Sequence, residues 1–190
     1  MTKIVCLLGS PREGGNSDKL ASVFLDATEA QGAQVSRHAL RDMQFCGPTG
    51  ALPDGGLGPE DDLHAVLQDV MRADVIVFAT PIYFCNMTGL MKQAFDRFFA
   101  FFVPDYVTAE EPSKLGRQKA FVLIQTQGEG ADRYDDLLGQ YGPALDKLGL
   151  EHRYLVRACG VRALGDMAKQ AEVLAEAEAL ARQLVNPKEP

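Results

Sequence analysis

The chain has 190 residues, of which 46% are hydrophobic and 24% charged, enough for one well-buried core and outside the fibrous and disordered classes. Its net charge of -7 argues against a broad nucleic-acid surface and against binding to anionic membranes. No apolar run approaches a membrane span, and the short run after Lys3 is too brief for a signal-peptide core, so a cytoplasmic protein is expected.

The first elements read as strand, tight loop and helix. Ile4 to Leu8 is an apolar run, Gly9 to Gly15 is glycine-rich, and Asn16 and Ser17 open an amphipathic segment that reaches about Gln31. Such a loop aims backbone N–H groups and the positive end of a helix dipole at one point, which favours a phosphate. Ser10, Asn16 and Ser17 can donate hydrogen bonds there, and Arg12 offers a guanidinium fork. Spacing excludes two better-known phosphate loops. Gly9-x4-Gly14 is followed by Gly15 and Asn16 instead of Lys and Ser/Thr, and Ser10-Pro11-Arg12 stands where a dinucleotide fingerprint needs its middle glycine.

Gln34 to Leu40 alternates weakly, as a half-exposed second strand does. From Asp42 to Glu60, glycines and prolines oppose helix and strand alike, leaving a long loop that reads as a lid, a partner surface or a tolerated insertion. Asp61 or Asp62 is placed to cap a helix running to about Arg72. Val75 to Ala79 is a third strand, buried on both faces, and it gives way at Thr80-Pro81 to Ile82-Tyr83-Phe84-Cys85-Asn86. Loops at the carboxyl ends of parallel strands are where open sheets take ligands. A helix from about Thr88 carries Met91, Phe95, Phe98, Phe99 and Phe102 on one face. With Phe101 and Val103 added, the stripe is richer than one core face needs, so it is expected to serve in part as a homo-oligomer interface.

Lys119 to Gln125 is a fourth strand opening into the polar loop Thr126-Gln127-Gly128-Glu129-Gly130. A helix over about Asp132 to Leu148, broken near Gly142-Pro143, leads to a fifth strand at Leu150 to Ala158 and a helix at Met167 to Leu184. Residues 1–185 read as one domain, with a frayed tail at 186–190. Five strands alternating with five helices imply an α/β, doubly wound, five-stranded parallel sheet, and the order 2-1-3-4-5 sets the loops after strands one, three and four side by side. The four cysteines are dispersed and the three histidines fall in no ligand pattern, so no metal site is expected.

The segments GSPREGGNS at 9–17, TPIYFCNMTGLMKQAFDRF at 80–98 and TQG at 126–128 resemble the NAD(P)H-dependent FMN reductase and iron-sulfur flavoprotein family of the flavodoxin-like fold. That resemblance implies that Ser10, Arg12, Asn16 and Ser17 hold the FMN phosphate. It sets Pro81, Ile82, Tyr83, Phe84, Cys85 and Asn86 along the isoalloxazine, with Thr126, Gln127 and Gly128 at its other edge. NADPH or NADH is then the electron donor, a flavin, quinone or similar small molecule the acceptor, and a homodimer or tetramer the assembly. The alternative is an electron carrier or flavin sensor without nicotinamide turnover. No protein acid or base is implied, because the flavin carries the chemistry. One departure stands out: the iron-sulfur branch needs closely spaced cysteines after the second strand, and this chain has Cys46 alone there, so no cluster is expected. Cys85 reads as a packing residue in preference to a reactive thiol.

Overall fold

The computed structural model describes residues 1–48, 50 and 56–186. Five parallel strands, β1 (Lys3–Leu8), β2 (Gln34–Ala39), β3 (Val75–Tyr83), β5 (Ala120–Thr126) and β6 (His152–Ala158), lie in the spatial order β2-β1-β3-β5-β6. This is the doubly wound order read from the sequence. A sixth strand, β4 (Asn86–Met87), corrects the five-strand count: it folds back antiparallel on the end of β3, with Ile82 opposite Met87 and Tyr83 opposite Asn86.

Alternation along each strand builds two cores. Val5 and Leu7 of β1, Ile76 and Phe78 of β3, and Phe121 and Leu123 of β5 face one side, where α2 (Asp62–Arg72) and α3 (Gly89–Asp96) cover them. Ile4 and Cys6, Val75 and Val77, and Val122 and Ile124 face the other, under α1 (Asn16–Ala30) and α6 (Ala171–Val185). Ala177 and Ala181 are fully buried and bring α6 close against that layer.

The phenylalanine stripe corrects the expected interface. Its helix ends at Asp96 and a 3-10 turn carries residues 97–101. Phe95, Phe98 and Phe101 turn inward, and Phe78 meets Phe95, Phe98 and Phe121 edge to face at centroid distances of 5.6, 5.4 and 5.0 Å. Phe101 is 0% exposed, so it belongs to the core and offers nothing to a second subunit. Phe99 and Phe102 close the cluster against Tyr106.

The helix expected over 132–148 is two short ones, α4 (Leu137–Gln140) and α5 (Gly142–Lys147). Helix α6 starts four residues later than the pattern suggests, after a 3-10 turn at Asp166–Lys169. The long loop after β2 lies partly outside the described residues, as does the tail apart from Asn186.

Candidate functional site

Strands β1, β3 and β5 are neighbours, so the loops at their carboxyl ends share one rim. The end of β1 is fixed first. Gly9 N–H donates to the Ala79 carbonyl at 2.8 Å. A Cβ on Gly9 would stand 2.8 Å from Met91 Cβ, so only glycine allows α3 to approach. Thr88 caps α3 by accepting from Met91 N–H at 3.2 Å, and its own hydroxyl donates to the Gly9 carbonyl at 2.7 Å.

The loop beyond is closed on itself. Ser10 Oγ accepts from Arg12 N–H at 3.1 Å and donates to the Arg12 carbonyl at 3.0 Å. Gly14 has φ 61°, the left-handed region that glycine enters without strain. Helix α1 then begins with no side-chain cap, and Lys19 N–H to the Gly15 carbonyl, at 3.0 Å, opens its ladder. The N–H groups of Asn16, Ser17 and Asp18 therefore precede the helical bonds. Ser17 is 1% exposed, and its Oγ has no partner among the described residues. From behind, the Asp18 carboxylate accepts from Gly14 N–H at 3.1 Å and Arg41 Nη1 at 2.9 Å. Burial raises the Asp18 pKa, against the lowering effect of Arg41.

These loops border a cleft of about 260 Å³, lined by Ser10, Arg12, Asn16, Ser17, Pro81, Ile82, Tyr83, Thr126, Gln127, Gly128, Val161 and Arg162. Its far wall is held by buried amides. Gln125 Nε2 donates to Gln127 Oε1 at 2.7 Å and to the Tyr134 carbonyl at 2.9 Å, while Gln127 Nε2 donates to the carbonyls of Gly130 and Arg133 at 2.7 and 2.8 Å. Arg157 takes the carbonyls of Ala131 and Arg133 at 3.1 and 3.3 Å. With its carbonyls committed to side chains in this way, the segment 130–136 does not start a helix.

Ten of the thirteen residues expected at the site thus line one cleft. Asn16 is spent on structure: Nδ2 donates to the Ala163 carbonyl at 3.1 Å and Oδ1 accepts from Met167 N–H at 3.4 Å. The Gln127 amide is equally occupied, and its backbone is bound as well, N–H to the Ala158 carbonyl at 2.9 Å and carbonyl to Val161 N–H at 3.0 Å. Phe84, Cys85 and Asn86 are not in the lining. Asn86 accepts a hydrogen bond from the Tyr141 hydroxyl, and Cys85 is exposed with Sγ 3.8 Å from the Tyr134 hydroxyl. Val161 and Arg162 do line it. Their sequence neighbourhood carried no signal, and only the fold brings Arg162 to Arg12, whose two terminal nitrogens donate to its carbonyl at 3.4 and 3.3 Å.

The β3–β4 hairpin turns on Phe84 and Cys85, with φ of 48° and 66°. Two consecutive left-handed residues make a type I′-like turn, which suits Asn-Gly and strains other residues by roughly 1–2 kcal/mol each. Phe84 is fully exposed, so its removal costs no burial. Replacing Phe84→Asn together with Cys85→Gly should therefore stabilise the protein by about 1–2 kcal/mol, read as a higher urea midpoint at unchanged slope. A lower midpoint would show that the turn carries no such strain.

A family profile described as NADPH-dependent FMN reductase matches residues 2–146, well over half of the sequence. The chain belongs to this family. An iron-sulfur flavoprotein of Archaeoglobus fulgidus is 30% identical over 151 residues, covering 78% of this chain and 64% of that protein. The chain spans about half the length of other curated relatives it matches. Among solved structures, an FMN-dependent NADH-azoreductase from Bacillus anthracis in complex with FMN aligns with a TM-score of 0.74 at 19% identity, over 97% of this chain and 100% of that one. An NAD(P)H:quinone oxidoreductase from Methanothermobacter marburgensis gives 0.74 at 17%, over 99% and 98%. At such identities the likeness concerns the fold, and it is the flavodoxin-like one.

Proposed function

We propose that this FMN reductase family member binds FMN in the cleft and acts as an NAD(P)H-dependent oxidoreductase toward a flavin, quinone or similar small acceptor. The observation that carries the proposal is the head of α1: a 15-residue helix without a side-chain cap, opening beside a buried Ser17 hydroxyl that has no partner among the described residues. A phosphate monoester accepts from both, and the helix dipole favours its charge. Bound FMN would supply the hydride-accepting and hydride-donating centre.

The chain's own work is to bind and orient. Pro81, Ile82 and Tyr83 give an apolar side for a flat ring, and Thr126, Gln127 and Gly128 line the cleft beside them. Among the described residues the lining holds no carboxylate, histidine, lysine or cysteine. Hence no proton transfer is assigned to the protein.

The iron-sulfur part of the relatives' descriptions is not carried over. Cys46 is the sole cysteine between residues 7 and 84, and Cys6 is buried in the sheet. Four free cysteines fit a reducing compartment, and we place the protein in the cytoplasm. No helix among the described residues is long and apolar enough to cross a membrane. A homo-oligomer has lost its basis in the phenylalanine stripe, and the proposal concerns the single chain's cleft.

Titration of the chain with FMN should quench flavin fluorescence to a stoichiometric endpoint. Under anaerobic conditions NADPH or NADH, tested separately, should then bleach the bound flavin. If dithionite bleaches it and neither nucleotide does, an electron carrier replaces the reductase.

A further inference from the structure

We propose that Arg162 is a phosphate-monoester ligand of this cleft, a second guanidinium beside Arg12, whose own terminal nitrogens hold the Arg162 carbonyl. The inference rests on the reading of the cleft given above and extends it to a residue outside the segment 2–146 that matches the family.

Arg162 is carried by a built segment. Gly160 N–H donates to the Glu129 carbonyl at 2.9 Å and Val161 N–H to the Gln127 carbonyl at 3.0 Å, tying the chain after β6 to the loop after β5. Asp166 Oδ2 accepts from the N–H groups of Arg162 and Ala163 at 3.0 and 2.8 Å. Asn16 holds the same segment to the head of α1 through Ala163 and Met167. The backbone of Arg162 is thereby fixed beside the loop where the phosphate is expected.

Its side chain has been given room. A Cβ on Gly128 would lie 2.9 Å from both Cγ and Nε of Arg162, so the arginine stem occupies the space that any other residue at 128 would fill. The guanidinium itself is lightly engaged. Nε donates to the Gly128 carbonyl at 2.9 Å, and Nη2 reaches Glu129 Oε1 only at 3.4 Å, between side chains that are 71% and 55% exposed. A guanidinium has five N–H donors, and exposed pairs of this kind are weak, so exchange for a dianion is favourable.

Charge points the same way. In a chain of net charge -7, two arginines with no carboxylate among the lining residues share one cleft, where their mutual repulsion is relieved by an anion between them. Two sources offer a phosphate monoester with the same chemistry: the 5′-phosphate of FMN and the 2′-phosphate that distinguishes NADPH from NADH. Contact with the segment that holds Asn16 and Arg12 favours the first.

The test is Arg162→Gln, with Arg162→Lys as a control that keeps the charge, titrated with FMN and with riboflavin, which lacks the phosphate. FMN should bind roughly tenfold more weakly to Arg162→Gln, riboflavin binding should be unchanged, and Arg162→Lys should lie between. Because the side chain is exposed, the thermal midpoint should not move. Gly128→Ala, which displaces the stem, should weaken FMN in the same direction. If FMN affinity is unaffected while the KM for NADPH rises and that for NADH does not, the site stands with the nicotinamide as its source. Unchanged ratios of FMN to riboflavin and of NADPH to NADH would overturn it. Failure of the unsubstituted chain to bind FMN would overturn the cleft reading, and is seen before any variant is made.

Discussion

Replacing Arg97 by Ala should lower folding stability by about 3–5 kcal/mol, as expected for a buried ion pair that loses one partner. The Arg97 side chain is 2% exposed and gathers the loop after β2 from inside. Nη1 donates to Asp61 Oδ2 at 2.7 Å and to the Cys46 carbonyl at 3.1 Å; Nη2 donates to the carbonyls of Leu57 and Pro59 at 3.3 and 3.1 Å. Without it, the three carbonyls lose this donor and a carboxylate that is only 16% exposed loses its ion-pair partner, keeping the N–H groups of Cys46 and Leu63. Burial alone would raise the Asp61 pKa; the bonds from Arg97 and the Cys46 N–H outweigh it, and the group titrates below the ordinary carboxylate range. A carboxylate with a depressed folded pKa contributes stability above its unfolded pKa and loses that contribution as pH falls through the folded one. The acid limb of stability should therefore be shallower in Arg97→Ala than in the parent. Urea midpoints measured at neutral and at acidic pH check both statements, and a loss below about 1 kcal/mol at neutral pH would show that water replaces the guanidinium.

Ser17→Ala should act in opposite directions on the empty and the loaded protein. A buried hydroxyl without a partner costs about 1–3 kcal/mol, so removing it should leave the ligand-free chain as stable as before or more stable, by up to roughly 1 kcal/mol. The same change removes a donor to a charged oxygen, and FMN affinity should fall by about 1.5–3 kcal/mol, a factor of roughly ten or more in Kd. Thermal unfolding without ligand, paired with fluorescence titration, separates the two effects. Should Ser17→Ala destabilise the free chain strongly and leave affinity intact, the hydroxyl is structural and the phosphate lies elsewhere.

Strands were the most legible elements because burial on both faces forces continuous apolar runs, as in Val75–Ala79 and Phe121–Ile124. Loop placement followed from their order, since β1, β3 and β5 are adjacent. What stayed hidden depends on contacts between distant residues. Nothing local in Phe84-Cys85 announces a left-handed turn, because the residues that favour one are Asn and Gly. The polar character of Asn16 and Gln127 fitted a ligand, yet amides with both ends free serve equally to pin loops, and here they do. The phenylalanine stripe was read as surplus because helical spacing leaves Phe101 off the apolar face. The switch to a 3-10 turn at Arg97 rotates it into the core. Arg162 stands 150 positions from Arg12, beyond any sequence window.

The wall formed by the segment 159–167 lies after residue 146, where the family match ends. The cleft is thus assembled from two parcels of chain under different constraint. The loops after β1, β3 and β5 are bound into the sheet, whereas the connection between β6 and α6 crosses at its edge and sets few core side chains, Val161 and Met167 among them. Exchange of that short connection alone would therefore rebuild one side of the cleft while leaving the loops after β1, β3 and β5 on an unaltered sheet.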